Sequence, residues 1–359
     1  MVLIAACTLS ISAKSPPLIL KHADFNENTI VDGKLISLLE GSVEFEYDKA
    51  VIMSQRATWF RRDGIVQFSG DVRVNQERQF LLCDYLDFDR SKKIATVRGN
   101  VDFFDEKENS RITADHGTYH LDTRFLVLDR KPRFYRYDTA AVDTMTVIGK
   151  RMTYNDSTKI ATVIDSVRIL KGELTAYSTI AHYHLQTDIA RLRSAPLIYY
   201  DVHDLKGDSV DLQFTDKRLH TVTVMGRAKG VHRDYGTRDT IITTVTGDSL
   251  CMLIRPTGTI DTLWVYGNAR SSYYLFSDTA SVNEAVGKIM VLGFTDKGQA
   301  RSLRISGNAV STYYVEDEGG KGRNEASGDR ILVMFDNGKA SYIRLTGSVR
   351  GIYFAQAGK

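Results

Sequence analysis

The heptapeptide Leu303-Arg-Ile-Ser-Gly-Asn-Ala309 belongs to a repeat that recurs every 40 residues in the last third of the chain. Its two relatives are Leu263-Trp-Val-Tyr-Gly-Asn-Ala269 and Ile343-Arg-Leu-Thr-Gly-Ser-Val349. Each copy leads to an aromatic pair: Tyr273-Tyr274, Tyr313-Tyr314 and Tyr353-Phe354. Each copy also follows a glycine-led segment and a turn. The pattern predicts a unit of strand, turn and strand, with glycine where a positive φ is needed.

Alternate residues of the repeat differ in character. One column holds Leu303, Ile305, Ala309 and Tyr313, whereas the other holds residues such as Arg304 and Asn308. Because side chains alternate faces along a strand, the first column is predicted to face an apolar interior and the second to face water.

The same column can be traced backwards through the chain with shorter spacings. About ten copies result, roughly 30 residues apart at first and 40 at the end, and no compositional break separates them. Their central positions are Gly41, Gly70, Gly99, Arg130, Asp165, Ser194, Gly226, Gly267, Gly307 and Gly347. The chain is therefore predicted to be one all-β array of stacked hairpin units, each of which buries its apolar column against its neighbours.

Composition agrees with this class. The 359 residues are 43% hydrophobic and 25% charged, and they include 27 glycines and only 5 prolines. A net charge of +3 gives no reason to expect nucleic acid as a partner. No segment approaches the roughly 18 apolar residues of a membrane-spanning helix. Two closures fit the pattern: a tight β-helix filled by side chains, or a folded sheet whose halves leave an apolar groove.

Part of the repeat resembles the OstA-like family, which includes periplasmic lipopolysaccharide-transport bridge proteins and the N-terminal domain of their outer-membrane assembly partner. The residues that carry the resemblance are Gly99-Asn100-Val101, Ala114-Asp115, Tyr119, Asp122, Leu126, Leu128 and Pro132, and further copies contain Gly70-Asp71-Val72 and Cys83-Asp84-Tyr85. The match is strongest from about Leu39 to Tyr200.

The resemblance implies an elongated open β-jellyroll, a stacked V-shaped β-solenoid of about ten hairpin units whose interior holds the acyl chains of lipopolysaccharide. We assign residues 21–205 to this jellyroll. Residues 206–359 are predicted to continue the β repeats with a period of about 40 residues, as a second jellyroll or as a docking surface. The predicted lipid-binding groove consists of Val72, Val97, Val101, Phe103, Leu126, Leu128, Phe134, Val163, Leu192, Val224, Leu263, Val265, Leu303, Ile305 and Leu345.

The expected partners also follow from the resemblance. They are lipopolysaccharide and other β-jellyroll transport proteins, including an outer-membrane assembly protein, joined edge strand to edge strand. A head-to-tail homo-oligomer is a further expectation. Basic residues at strand ends, Arg130, Lys131, Arg133 and Arg136, either meet lipid phosphates or are ordinary solvated side chains.

The N-terminus suggests export. Residues 1–20 are interpreted as the remnant of a signal or leader, and Ile4-Ala5-Ala6-Cys7 resembles the lipobox at which bacterial lipoproteins are acylated. The expected location is the periplasm, with an association with the outer membrane and with lipidation at Cys7 left open. Cys83 and Cys251 are interpreted as small apolar residues because three widely spaced cysteines form no disulfide or zinc pattern.

Candidate catalytic and metal-binding groups are weak. His116 and His120 share a strand face, as do His182 and His184, but both pairs fall on outward positions of a repeat unit. The acidic residues lie mostly at predicted turns, where they bind the local backbone. We therefore assign no catalytic residue, no metal and no cofactor, and we expect a non-enzymatic protein. The alternatives are a structural or adhesive surface β-solenoid and a carbohydrate-active β-helix enzyme.

Overall fold

The computed structural model describes residues 16–137, 144–235, 239–317, 320–336 and 339–355. In these ranges the chain forms twenty-six β-strands, and all of the strand pairings given for them are antiparallel. The described residues contain no helix with the length and apolar character needed to cross a membrane. The predicted all-β class is confirmed.

The chain divides into two compact units. The first contains the residues up to Gly172 together with Thr179–Thr187, and the second contains Glu173–Ser178 together with the residues from Asp188 onward.

The first unit is formed by β1 (Leu18–His22), β2 (Phe25–Val31), β3 (Lys34–Tyr47), β4 (Ala50–Phe60), β5 (Ile65–Gln76), β6 (Gln79–Asp89), β7 (Ile94–Asp105), β8 (Ser110–His120), β9 (Phe125–Asp129), β10 (Arg133–Tyr137), β11 (Thr144–Ile148), β12 (Arg151–Asn155), β13 (Ile160–Lys171) and the end of β14 (Leu174–His184).

The second unit contains the start of β14 and also β15 (Ile189–Arg193), β16 (Leu197–Tyr200), β17 (His203–Lys206), β18 (Ser209–Thr215), β19 (Arg218–Tyr235), β20 (Thr240–Ile254), β21 (Ile260–Leu275), β22 (Asp278–Phe294), β23 (Ala300–Asp317), β24 (Gly320–Asp336), β25 (Lys339–Thr346) and β26 (Arg350–Ala355).

Every repeat bends sharply at its central residue, where the alternation alone predicts a continuous strand. All ten central residues, from Gly41 to Gly347, have a positive φ, and in each case the next residue does too. The pairing register shifts at the same places, for example between Arg98 and Val101 of β7. Two consecutive residues in the left-handed conformation change the direction of the strand. Each long strand therefore consists of one segment before the bend and one segment after it.

The bend explains why glycine recurs there. At five bends, at Gly41, Gly99, Gly226, Gly267 and Gly347, a Cβ atom would overlap the carboxylate of an aspartate. Asp84, Asp248 and Asp329 lie on the preceding strand, and Asp24 and Asp208 lie in the short breaks between β1 and β2 and between β17 and β18. The aspartate next to Gly99 is Asp84, which also accepts hydrogen bonds of 3.0 and 3.2 Å from Asn100 Nδ2. Glycine therefore meets both requirements, a positive φ and a close neighbour.

Apart from the bends themselves, the inward columns are buried or half-buried, except in the last repeat. Val265, Ile305 and Ala309 are fully buried, and Arg304 and Asn308 on the other column are exposed. The prediction is wrong for the last repeat. Its column residues Ile343, Val349 and Tyr353 are 45–57% exposed, because no further strand of the described chain covers β25 and β26.

Two segment interpretations also need correction. The charged, glycine-rich composition of Glu316–Asp329 predicts a mobile loop, but Gly320–Asp329 lies in β24, where most of it pairs with β23 and residues 322–327 also pair with β26. Backbone pairing on both sides outweighs the polar composition. Gly247 was expected to begin a strand, but it lies inside β20 at the bend. Residues 1–15, with Cys7, lie outside the described residues, and Leu18–His22 forms strand β1.

Candidate functional site

The bends divide the strands of the first unit into two walls. Wall A contains the segments before the bends of β3, β5 and β7, the segments after the bends of β4, β6 and β8, and all of β9. Wall B contains the other halves of these strands and β10. Backbone pairing continues within each wall, as between Leu86 and Val97 in wall A and between Leu81 and Phe103 in wall B. The two walls are thus formed by the same strands on either side of a bend.

A cavity of about 200 Å³ lies between the two walls. No charged residue is among those that line it. Wall A contributes Leu86, Phe88, Ala95, Val97, Gly117, Tyr119, Leu121, Leu126 and Leu128, and the other wall contributes Tyr47, Ala50, Ile52, Val74, Gln76, Gln79, Leu81, Val101, Phe103 and Ile112. The lining is suited to hydrocarbon. Its volume is below the roughly 300–1,000 Å³ of a pocket that encloses a drug-sized ligand.

Aromatic pairs join the walls at the first strands of the unit. Phe45 packs edge-on against Phe68 with ring centroids 5.3 Å apart, and it packs against Trp59 at the same distance. Tyr47 packs against Phe88 at 4.8 Å. Such pairs contribute roughly 0.5–1.5 kcal/mol beyond the burial of their area. They fix the spacing of the walls at this end of the cavity.

Five of the predicted groove residues line this cavity: Val97, Val101, Phe103, Leu126 and Leu128. Val72, Phe134 and Val163 are buried elsewhere in the first unit. The remaining seven belong to the second unit: Leu192, Val224, Leu263, Val265 and Ile305 are buried there, and Leu303 and Leu345 are half-buried. The structure therefore brings together one third of the predicted set.

Sequence reasoning missed the strands β6 and β8, which run back between the strands of successive repeats and which we call return strands. Leu81, Leu86 and Phe88 of β6 line the cavity, as does Ile112 of β8. The signal was present as two short alternations, but the bend at Asp84 shifts the phase between them. A search that allowed a phase shift at each Asp would have found them.

The histidines have local partners on outward positions. His116 Nδ1 lies 3.0 Å from Asp129 Oδ1, and His182 Nδ1 lies 3.0 Å from Thr162 Oγ1. The next inward residue, Gly117, lines the cavity instead. Within the part of the chain that the structure describes, no three His, Cys, Asp or Glu side chains are placed to hold a metal ion.

Two other predicted groups can be located. Cys83 is buried and Cys251 half-buried, and both are free thiols. Burial raises the pKa of the Cys83 thiol to about 12. Among the basic strand-end residues, Lys131 pairs with Asp115 at 3.3 Å. Arg136 is half-buried, and its Nε atom has no hydrogen-bond partner among the described residues.

The match to a protein family concerns the same part of the chain. Residues 16–121 match the family model described as OstA-like protein. The search of curated proteins returned no match. Among solved structures, LptH from Pseudomonas aeruginosa, the LptA homologous periplasmic component of the conserved lipopolysaccharide transport device, is 15% identical. That alignment covers 41% of this chain and 82% of LptH, with a TM-score of 0.22. The resemblance to the OstA-like family is thus confirmed by the match over residues 16–121, which contains most of the strands around the cavity.

Proposed function

We propose that this chain is a non-enzymatic module that carries lipopolysaccharide across the periplasm to the outer membrane. The acyl chains would occupy the cavity between the walls of the first unit. The observation that carries the proposal is the uncharged, mostly apolar lining of this cavity within the OstA-like segment.

The energetics suit transport. Burial of hydrocarbon contributes about 25 cal/mol per Å², or about 0.8 kcal/mol for each CH₂ group. The lining offers aliphatic or aromatic side chains on each of the strands from β4 to β9, so a chain gains similar free energy at successive strands. A lipid bound in this way can move along the walls without leaving one deep minimum. For a full acyl chain to enter, the walls must move apart so that the cavity becomes larger than its present volume of about 200 Å³.

Charged headgroups would meet the basic residues at the strand ends. Arg136 is the best placed of these, because its half-buried guanidinium has an unpaired Nε and lies opposite Ser110 of β8. Arginine binds phosphate through parallel hydrogen bonds. We include a lipid phosphate at Arg136 in the proposal.

The edges of the sheet supply the partner surfaces. In the described chain, β2 pairs only with β3, and β25 pairs only with β24. Residues 24–32 contain three acidic and no basic residues, whereas β25 and β26 contain three basic and no acidic residues. Opposite charge on two unpaired edges favours head-to-tail addition of strands, either to another copy or to a related β-jellyroll protein of the transport path.

A structural or adhesive surface solenoid is the second candidate. It is favoured by the second unit, where Val224, Val265, Met290 and Ile305 are completely buried. The contribution of Leu192, Val224, Leu263, Val265, Leu303, Ile305 and Leu345 to a lipid groove therefore stays a prediction.

Two neighbouring leucines provide the test. Leu81 lines the cavity, whereas Leu82 lies on the opposite face of β6 and is 45% exposed. A photo-crosslinking amino acid at either position is incubated with purified lipopolysaccharide and irradiated. We expect an adduct at Leu81 and little at Leu82. Equal labelling at both positions, or labelling at Leu82 alone, would refute binding in the cavity.

A further inference from the structure

A row of polar and aromatic side chains crosses the second unit. On the strands that bend at Gly226, Gly267 and Gly307 it contains the sixth residue after the bend, and on the return strands it contains polar residues next to these. It consists of His232, Thr243, Tyr273, Asn283, Tyr313 and Asn324, and we call it the polar row. Its members are cross-strand neighbours: His232 pairs with Thr243, Thr243 with Tyr273, Tyr273 with Asn283, and Tyr313 with Asn324. The backbone N–H of Tyr314 donates to Asn283 Oδ1 at 2.8 Å, which connects β22 to β23.

The row lies on the inner face of its wall. Ala228 and Gly230 precede His232 on the same face of β19, and both are buried. Ser271 precedes Tyr273 on the same face of β21 and is 7% exposed. The row remains accessible at one end, because Asn324 is exposed and its cross-strand neighbour Tyr353 is 57% exposed.

The first unit has different chemistry in the corresponding wall. Four residues beyond its bends, cross-strand neighbours form an apolar row of Phe45, Ile52, Val74, Leu81, Phe103 and Ile112. In the second unit that position holds small residues, namely Gly230, Val245, Ser271, Ala285, Ser311 and Ala326. Six residues beyond its bends, the first unit also carries polar residues, among them Gln76, Gln79, Asp105 and Ser110. The two units therefore differ in the row beside these positions, which is lined by hydrocarbon in the first unit and by small residues in the second.

The polar row is also uncharged. Its only titratable residue that changes charge near neutral pH is His232, which stacks on His203 with ring centroids 4.5 Å apart. Burial lowers the pKa of both histidines. The row therefore offers hydrogen bonds and ring faces, and no cation for phosphate.

We infer that the polar row binds an extended carbohydrate chain. Tyrosine presents an apolar ring face together with a hydroxyl group, and this combination matches a pyranose ring. Asn, Thr and neutral His each supply both donors and acceptors, as an uncharged polyhydroxylated ligand requires. Asn283 Oδ1 already accepts from the backbone N–H of Tyr314, and the side chains of Tyr273 and Tyr313 are hydrogen-bonded to each other. An acyl chain on this surface would leave the remaining polar groups unpaired, at a cost of about 1–3 kcal/mol for each buried one.

The repeat length supports a linear ligand. Neighbouring strands are about 4.8 Å apart, so Tyr273, Tyr313 and Tyr353 recur roughly every 9.6 Å. A chain of sugar rings that runs across the strands would meet a tyrosine and an asparagine in turn. The proposal is independent of the acyl-chain cavity in the first unit.

Two soluble probes test the inference in the full chain. One is the fully deacylated glycan of lipopolysaccharide, and the other is cellohexaose, a neutral linear oligosaccharide. Binding is measured by calorimetry for the parent chain and for Tyr313→Phe, Asn324→Ala and Tyr353→Ala. Tyr266→Phe is the matched control, since Tyr266 lies on the outward face of β21 and is 41% exposed. Loss of one hydrogen bond should weaken binding by about fivefold to tenfold, and Tyr266→Phe should change nothing.

The arms of the experiment separate the sources. Binding of the deacylated glycan alone identifies the sugar part of lipopolysaccharide as the ligand, and binding of both probes identifies linear glycans in general. If neither probe binds, or if Tyr266→Phe weakens binding as much as Tyr313→Phe, the inference is overturned. A chain that binds no glycan but still crosslinks lipopolysaccharide at Leu81 would overturn the inference and leave the proposed function intact. A chain that binds the glycan but does not crosslink lipopolysaccharide at Leu81 would support the inference and refute the proposed function.

Discussion

Gly99 shows what a single bend requires of its residue. It has φ +72° and lies against Asp84, whereas Gly33 has the same φ with open space around it. We expect Gly33→Ala to lower the free energy of unfolding of the first unit by about 1–2 kcal/mol, the cost of a left-handed backbone. Gly99→Ala should cost more, because its methyl group must also displace Asp84. Adding Asp84→Ala should recover that second part.

The measurement is urea unfolding followed by tryptophan fluorescence. The chain has two tryptophans, Trp59 and Trp264, so a Trp264→Phe background reports on the first unit alone. Gly64→Ala is the control in the same unit, since Gly64 also has a positive φ, +70°, and an added Cβ would meet only Arg90 Cβ at 3.8 Å, so its loss should match that of Gly33→Ala. Equal losses for Gly33→Ala and Gly99→Ala would show that the Asp84 contact is unimportant.

His203 makes a prediction about pH. Burial, with a smaller contribution from the charge of His232, lowers the pKa of His203 to about 3. A folded-state pKa below the unfolded value of about 6.5 means that the unfolded chain binds the proton first. Stability of the second unit is therefore complete above pH 6.5 and falls as pH decreases from about 6.5 to 3, by at most about 1.4 kcal/mol per pH unit. His203→Gln should flatten this dependence in a Trp59→Phe background. An unchanged slope would assign the acid sensitivity to other groups.

At the scale of the strand, alternation predicts one half of the structure well. The central positions of all ten repeats were located because the strand on which each lies is continuous in phase and usually carries glycine at its centre, but the bend at each of them was not predicted. The return strands β6 and β8 were missed because their bends interrupt the alternation and their central residues are ordinary Asp84 and Asp115. The sequence-based boundary lies between residues 205 and 206 and stays a prediction, whereas the compact units of the structure divide between Gly172 and Asp188. The alternation alone also does not show that small residues of the second unit, such as Ser271 and Ala285, occupy the positions where the first unit has large apolar residues.

The aromatic pairs yield a prediction for the walls. Phe68 is 1% exposed and touches Phe45 of the opposite wall. Phe68→Ala should lower the stability of the first unit by about 3–5 kcal/mol, because the cavity left behind cannot collapse against rigid strands. The same unfolding measurement in the Trp264→Phe background tests it. Phe25→Ala is the control, since Phe25 lies on edge strand β2 and is 54% exposed. A small loss for Phe68→Ala would mean that the walls close readily.

For the whole chain, the decisive feature is that, among the described residues, an early strand, β2, and a late strand, β25, each have one unpaired edge. Ile30 on β2 is 73% exposed and Ile352 on β26 is 56% exposed. The strand types also match. Elsewhere in the array, a segment that precedes a bend, as β25 does, pairs next with a return strand. At the beginning of the chain, β1 and β2 together form such a return strand, because both pair with β3 and Asp24 between them lies against Gly41. Joining two copies end to end would therefore continue the same alternation of strand types.

Assembly can be tested with one lysine at each end. In analytical ultracentrifugation at low salt, we expect the parent chain to form oligomers that grow with concentration. Ile30→Lys and Ile352→Lys should each be monomeric, because a charge would be buried at the new junction. An equimolar mixture of the two variants should form dimers and nothing larger, since each supplies one intact edge.

Ile289→Lys is the control, because Ile289 is 40% exposed on central strand β22 and should leave assembly unchanged. Oligomers of either edge variant alone would show that the copies meet through another surface. Higher salt should weaken the parent assembly, because the acidic segment 24–32 would no longer attract the basic strands β25 and β26.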